Sequence, residues 1–136
     1  MYETFDHTAD LGLRIRAADL NTLFAEAGLA LVSALVEDPG TVSPARTLDI
    51  RLGPDDLDYL LFDWLKELLG RFEEERMLFC RFDVQVGDKG LSAACHGEPF
   101  DPARHELCHE VKAITYHGLR VEPADGGWLA EVIVDI

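Results

Sequence analysis

Two carboxylates and an imidazole fall within five residues near the start of the chain, in Asp6-His7-Thr8-Ala9-Asp10. Side chains of these types can gather a divalent cation. They can also bond nearby backbone amides and shape a turn, as Asp and Thr commonly do. Directly after them, Leu11, Leu13 and Ile15 alternate with Gly12, Arg14 and Arg16. That is the period of a strand with one buried face, so the acidic segment sits at a strand mouth. Two acids do not complete a cation site, and any further ligands must come from elsewhere in the chain.

The other end of the chain offers them. Trp128 to Ile136 is almost continuously apolar and β-branched, the pattern of a central strand, yet it carries Asp135 next to its end. A carboxylate in such surroundings requires an opposite charge or a cation. Ile136 adds an α-carboxylate beside it, and Lys112 is a cation on a third apolar segment. If the N- and C-terminal strands are neighbours, Asp10, Asp135 and the Ile136 carboxylate converge. Oxygen donors without thiolate suit a hard cation such as Ca²⁺ or Mg²⁺. Separate caps and surface charges explain the same residues equally well at this level.

These residues must be positioned by one domain, residues 1–136, because a chain of 136 residues can bury a single ordinary core. No apolar run approaches the ~18 residues of a membrane span, and no basic-then-apolar leader opens the chain. The expected compartment is cytoplasmic. Acids outnumber bases 26 to 12, giving a net charge of −14. Nucleic-acid affinity rests on Lys and Arg neutralising phosphates, so tight direct RNA binding is disfavoured. A cation or a basic protein surface is the more natural partner. Cys80, Cys95 and Cys108 contain no CxxC pair, which argues against a disulfide framework or zinc ribbon and for reduced thiols.

Helical periodicity appears twice. Asp19 is a good N-cap for a helix whose apolar face is Leu20, Leu23, Phe24, Ala27, Leu31, Ala34 and Leu35, ending by Asp38-Pro39-Gly40. A second helix follows Gly53-Pro54-Asp55-Asp56 and repeats Leu57, Leu60, Leu61, Trp64, Leu65, Leu68, Leu69 and Phe72. Asp55, Asp56 and Asp58 read as residues that cap its first turn. Strands are expected around Leu48–Leu52, Leu78–Val86, Leu91–Cys95, Glu110–Tyr116 continuing through Leu119 and Val121, and Trp128–Ile136, with turns at Gly87–Gly90 and Ala124–Gly127. Cys80 and Cys95 fall on apolar strand faces and read as buried thiols. The irregular stretch Gly97–His109 holds His105, Cys108 and His109, but their spacing matches no common structural zinc pattern. The expected fold class is α+β: two amphipathic helices packed on one side of a mixed or largely antiparallel sheet of about seven strands.

Three separated motifs resemble the archease family: Tyr2-Glu3-Thr4-Phe5-Asp6-His7-Thr8-Ala9-Asp10 at the start, Glu110-Val111-Lys112-Ala113-Ile114-Thr115-Tyr116-His117-Gly118-Leu119, and the ending Val132-Ile133-Val134-Asp135-Ile136. Their order and spacing cover essentially the whole length. The resemblance implies an accessory protein of an RtcB-type RNA ligase, which joins a 2′,3′-cyclic phosphate or 3′-phosphate end to a 5′-hydroxyl in tRNA splicing and RNA repair. It implies promotion of ligase guanylylation and multiple turnover, with no ligase activity of its own. It further implies a divalent cation, Ca²⁺ first and then Mg²⁺ or Mn²⁺, held by Asp10, Asp135 and the Ile136 carboxylate. Lys112 would be an activation residue together with Asp10 and Asp135, with Asp6 and His7 in support. RNA would be met through the ligase.

Two other classes stand against this expectation. One is a small divalent-metal-dependent phosphoesterase or hydrolase centred on Asp10, Asp135 and His7, although no nucleophile motif or phosphate-binding glycine loop is present. The other is a general chaperone-like scaffold module, which would be indifferent to loss of Asp10, Lys112 or Asp135.

Overall fold

The computed structural model describes residues 1–7 and 10–136, the side chain of His7 excepted. In chain order the elements are β1 (Tyr2–His7), β2 (Asp10–Ala17), α1 (Leu20–Leu35), β3 (Arg46–Leu52), α2 (Leu57–Glu75), β4 (Met77–Gly87), β5 (Gly90–Pro99), β6 (Ala113–Ile114), β7 (Arg120–Ala124) and β8 (Gly127–Asp135). The expected α+β class holds, and every strand pairing among the described residues is antiparallel.

Among the described residues the expected single sheet of about seven strands is instead two sheets totalling eight strands. The larger runs β1-β2-β8-β6, with β7 also on β8, and the smaller runs β3-β5-β4. The helices do not cover one side of one sheet. Helix α1 packs on β2 and β8 of the larger sheet and on β4 of the smaller, and α2 also touches both sheets. The composition of α1 explains this. Leu23, Phe24, Ala27, Gly28, Ala30, Leu31, Val32, Ala34 and Leu35 are all buried, so its apolar surface is wider than one stripe, as suits a helix buried on more than one side. Gly28 lets α1 approach β4 closely, because a Cβ there would come within 2.7 Å of the Phe82 ring. The Trp64 indole of α2 donates to the Phe24 carbonyl of α1 at 2.8 Å and meets the Phe82 ring edge-on, 5.4 Å between centroids. Burying side chains such as Trp64, Phe24 and Leu31 completely contributes about 1.5–3 kcal/mol each.

Local chemistry sets the ends. Asp19 Oδ1 accepts the Thr22 amide at 2.8 Å and starts α1. The α2 acids act differently from the expected caps. Asp56 is the N-cap residue but makes no side-chain cap bond. Asp58 reaches away from its helix and accepts the Val121 amide at 2.7 Å, tying β7 to α2. The β7–β8 turn uses Asp125 and Gly126, both at positive φ (49° and 78°), the handedness that matches strand twist in a two-residue hairpin.

Two strand expectations change. Tyr2–His7, for which the sequence reading offered no strand, is an edge strand, and it takes in Asp6 and His7 of the segment Asp6–Asp10 read as a turn. The segment Glu110–Tyr116 forms only a two-residue strand, Ala113–Ile114. Residues 105–111 instead run against the end of α1, where the Cys108 and His109 amides donate to the Leu35 and Ala34 carbonyls at 2.8 and 2.9 Å. Those carbonyls lack intrahelical partners at a helix end, so the loop amides satisfy them in place of a ladder.

Candidate functional site

The site is built on one row of the larger sheet. Strand β2 pairs with β8 so that Leu11, Leu13 and Ile15 face Val134, Val132 and Ala130, all buried. Side chains alternate across a strand, so Asp10, Gly12 and Arg14 lie on the opposite, outer face. The same register puts Asp10 directly opposite Asp135. Directly opposite residues on antiparallel strands have Cα atoms roughly 4.5–5.5 Å apart and share a face. On the outer sides of this pair, His7 is the register partner of Asp10 and Ala113 that of Asp135. The row therefore crosses four strands, β1-β2-β8-β6, at one end of the sheet.

Two further rows hold this register. Phe5, Gly12 and Ile133 are register-aligned in the row inward, and a Cβ on Gly12 would lie 2.2 Å from the Phe5 ring. Glycine is thus required for the ring to cover β2. Further along, Glu3, Arg14, Glu131 and Arg120 form an ion-pair ladder across β1, β2, β8 and β7, with Arg14 3.2 Å from Glu3 and 3.5 Å from Glu131. A slip by one residue would turn Leu11, Leu13 and Ile15 to solvent, and a slip by two would part these charges. The ladder that matches Arg14 to Glu131 is the one that opposes Asp10 to Asp135.

Lys112 reaches this end through its backbone. Its amide donates to the Asp135 carbonyl at 2.8 Å, and its side chain is exposed. It also lines a cleft of about 680 Å³ shared with Phe72, Glu73, Arg76 and His109. Ile136 is half-buried and packs against the core. Asp10, Asp135 and Lys112, far apart in sequence, are therefore brought to one end of one sheet. Asp6 is not brought with them. It is the register partner of Leu11, so its side chain belongs to the other face of the sheet from Asp10. The His7 side chain, Thr8 and Ala9 lie outside the described residues.

Among the described residues no group of three or more His, Cys, Asp or Glu side chains forms a cation cage. The Cys- and His-rich stretch makes other uses of its groups. His105 is buried, its Nδ1 accepting the Asp101 amide at 2.9 Å and its Nε2–H donating to Glu98 at 3.0 Å. Cys95 is buried, Cys80 half-buried at a β-bulge in β4, and Cys108 exposed. Burial pushes the Cys95 thiol up to about 12, the inert state expected of it. No sequence motif marks the ladder Glu3–Arg14–Glu131–Arg120. Its signal was available in the alternation that puts Arg14 on the face of Asp10 and Glu131 on the face of Asp135.

Comparison with known proteins decides the family. The model of the Archease protein family matches residues 2–136. This chain belongs to the archease family. The archease of Methanopyrus kandleri is 40% identical over 99% of both chains, and that of Pyrococcus furiosus is 36% identical over 99% of this chain and 98% of its own. Among solved structures, the solution structure of Methanobacterium thermoautotrophicum protein 1598 is 35% identical and superposes with a TM-score of 0.87, covering 99% of this chain and 98% of that one. The crystal structure of an archease from Thermotoga maritima, described as a possible chaperone, has a TM-score of 0.67 at 18% identity, covering 100% and 98%. At that identity the likeness concerns the fold. No helix among the described residues is long and apolar enough to cross a membrane.

Proposed function

We propose that this archease-family protein is not itself an enzyme but activates an RtcB-type RNA ligase, promoting its guanylylation and repeated turnover. The observation that carries the reading is the register that opposes Asp10 to Asp135, with the Lys112 amide on the Asp135 carbonyl. Like charges directly opposite on neighbouring strands are destabilising. A shared cation would offset that cost, and an oxygen-only donor pair suits Ca²⁺, Mg²⁺ or Mn²⁺. On this reading Asp10 and Asp135 would hold a divalent cation between them, with the Ile136 carboxylate as a neighbouring donor and water or the partner supplying the remaining ligands.

When bound, such a cation supplies positive charge for phosphate oxygens in nucleotidyl transfer. The chain's own residues do the rest. Asp10 and Asp135 hold their carboxylates on two central strands, so their spacing is set by backbone pairing rather than by loops. Lys112 carries its ammonium on the adjacent edge, where it can meet phosphate charge or a ligase carboxylate. The net charge of −14 favours approach to the basic surface of an RNA-binding enzyme over contact with RNA itself.

The test is ligase autoguanylylation with GTP and a divalent metal, with and without substoichiometric amounts of this protein. Acceleration by the wild type but not by Asp135→Ala supports the reading. An unaltered rate with a cognate ligase would remove it, and turnover of phosphate esters by the isolated protein would move the function to a hydrolase.

A further inference from the structure

Among the described residues four large apolar side chains stand out as exposed, Met1, Tyr59, Leu107 and Tyr116. Two of them form one surface. Tyr59 on α2 and Tyr116, two residues beyond β6, are 50% and 59% exposed, and their rings meet at 71° with centroids 6.1 Å apart. Tyr116 is held there by stacking on Phe62, 3.9 Å between centroids at 12°. The two rings, Leu119, Asp56 and Asp58 line an open cleft of about 500 Å³. Its charged residues are all acidic. Asp58 is engaged by the Val121 amide, whereas Asp56 is exposed and makes no cap bond to its own helix.

Aromatic faces with a carboxylate at their rim are what recognise a cation on a side chain. The ring quadrupole attracts a guanidinium or ammonium, and guanidinium also stacks on the ring. The carboxylate adds a charge-assisted hydrogen bond. Stacked Tyr rings can also hold nucleobases, but a cleft whose charges, among the described residues that line it, are all carboxylates, in a chain of net charge −14, repels a phosphate backbone. Charge complementarity therefore selects a basic protein segment.

We infer that the Tyr59–Tyr116 cleft is a docking site for an arginine-bearing segment of a protein partner, with the guanidinium against the two rings and paired to Asp56. Tyr116 is three residues from Ala113, the register partner of Asp135, a span of at most about 10 Å of extended chain. A partner seated in the cleft is thus close enough to reach round the β6 edge to the Asp10–Asp135 row. In its identification of the partner as the ligase, this inference rests on the proposed function.

The experiment follows the Tyr and Leu119 resonances of the isotopically labelled full chain while N-acetyl-arginine amide, N-acetyl-glutamate amide or a short oligouridylate is added. The ligase affinity of the same variants is measured in parallel. Saturable shifts at Tyr59, Tyr116 and Leu119 are expected with the arginine probe alone, and are expected to be lost in Asp56→Asn, which keeps the backbone and shape. Ligase affinity should fall at least tenfold in Tyr59→Ala and Asp56→Asn, while the guanylylation rate at saturating protein stays that of the wild type. Tyr116→Phe, which keeps the stack on Phe62, should bind like the wild type. Shifts with oligouridylate, equal shifts with glutamate, or unchanged ligase affinity in Asp56→Asn would each overturn the docking site while leaving the activator reading in place. Arginine shifts without any ligase binding would keep the cleft as a guanidinium site and overturn the ligase as its partner.

Discussion

The buried His105 ring donates from Nε2 to Glu98 Oε2 at 3.0 Å, while its Nδ1 accepts the Asp101 amide at 2.9 Å. Both ring nitrogens are therefore committed, and the carboxylate is the hub of the arrangement. It also accepts the Ser43 amide at 2.7 Å and pairs with Arg104. This clasp fixes the start of the segment that then runs past α1 and delivers Lys112 to Asp135.

The clasp predicts an acid-sensitive stability. The Arg104 guanidinium first, then the Ser43 amide and His105, hold the Glu98 carboxyl down from its ordinary 4.5 to about 2. A carboxyl with a depressed folded-state value stabilises the fold fully above its unfolded value and loses that contribution as pH falls towards the folded one. Wild-type stability should therefore decline between pH 4.5 and 2 in part through Glu98. Urea midpoints measured across that range should show a shallower decline in Glu98→Gln, from a lower starting point at neutral pH. Parallel pH curves for the two proteins would refute the assignment.

The carboxylate pair predicts a metal-linked stability. Asp10→Asn and Asp135→Asn should leave the metal-free protein within about 0.5 kcal/mol of the wild type, because both are partly exposed and outside the core. Added Ca²⁺ should stabilise the wild type by about 2.7 kcal/mol at a hundredfold excess over its dissociation constant, and should not stabilise either variant. Thermal melts with Ca²⁺, Mg²⁺, Mn²⁺ and a chelator check this. Equal stabilisation of wild type and variants would place any bound cation elsewhere.

Register at the site predicts a cost for filling Gly12. A Cβ there lies 2.2 Å from the Phe5 ring, so Gly12→Ala must displace the ring. Overpacking of this kind costs about 1–3 kcal/mol. Because Gly12 is two residues from Asp10, ligase activation should fall along with stability. Pairing the substitution with Phe5→Leu should recover part of both, and chemical denaturation alongside the guanylylation assay measures it.

The three thiols should label in a fixed order. Cys108 is exposed, Cys80 half-buried and Cys95 buried. Burial raises Cys80 and Cys95, Cys95 the furthest, to about 12, and partial desolvation together with the hydrogen bond and charge of Glu37 raises Cys108. Iodoacetamide with mass spectrometry should modify Cys108 first, faster as pH rises, and leave Cys95 untouched until the protein is denatured. Early modification of Cys95 would contradict its position in the core.

Much of this organisation is legible in the residues alone. The helical period of Leu57–Phe72, the cap at Asp19, the Asp125-Gly126 turn and the apolar run of β8 are local signals, and local backbone preferences act on them directly. The three motifs at the start, at Lys112 and at Asp135 also stand out in the chain, which is why the family resemblance was visible before the fold. What the sequence determined by itself was which residues carry charge into otherwise apolar strands. Only tertiary structure decided which of those charges meet. Strand pairing joins residues more than a hundred positions apart, and the register follows from the buried faces of β2 and β8 together with the Glu3–Arg14–Glu131–Arg120 ladder. That register brings Asp10 to Asp135 and turns Asp6 to the other face. Likewise, nothing local to Asp58 distinguishes a helix cap from a tie to Val121, and the wide apolar surface of α1 signals burial on more than one side without showing that a second sheet is what covers it. Both depend on surfaces that exist only once distant elements have packed.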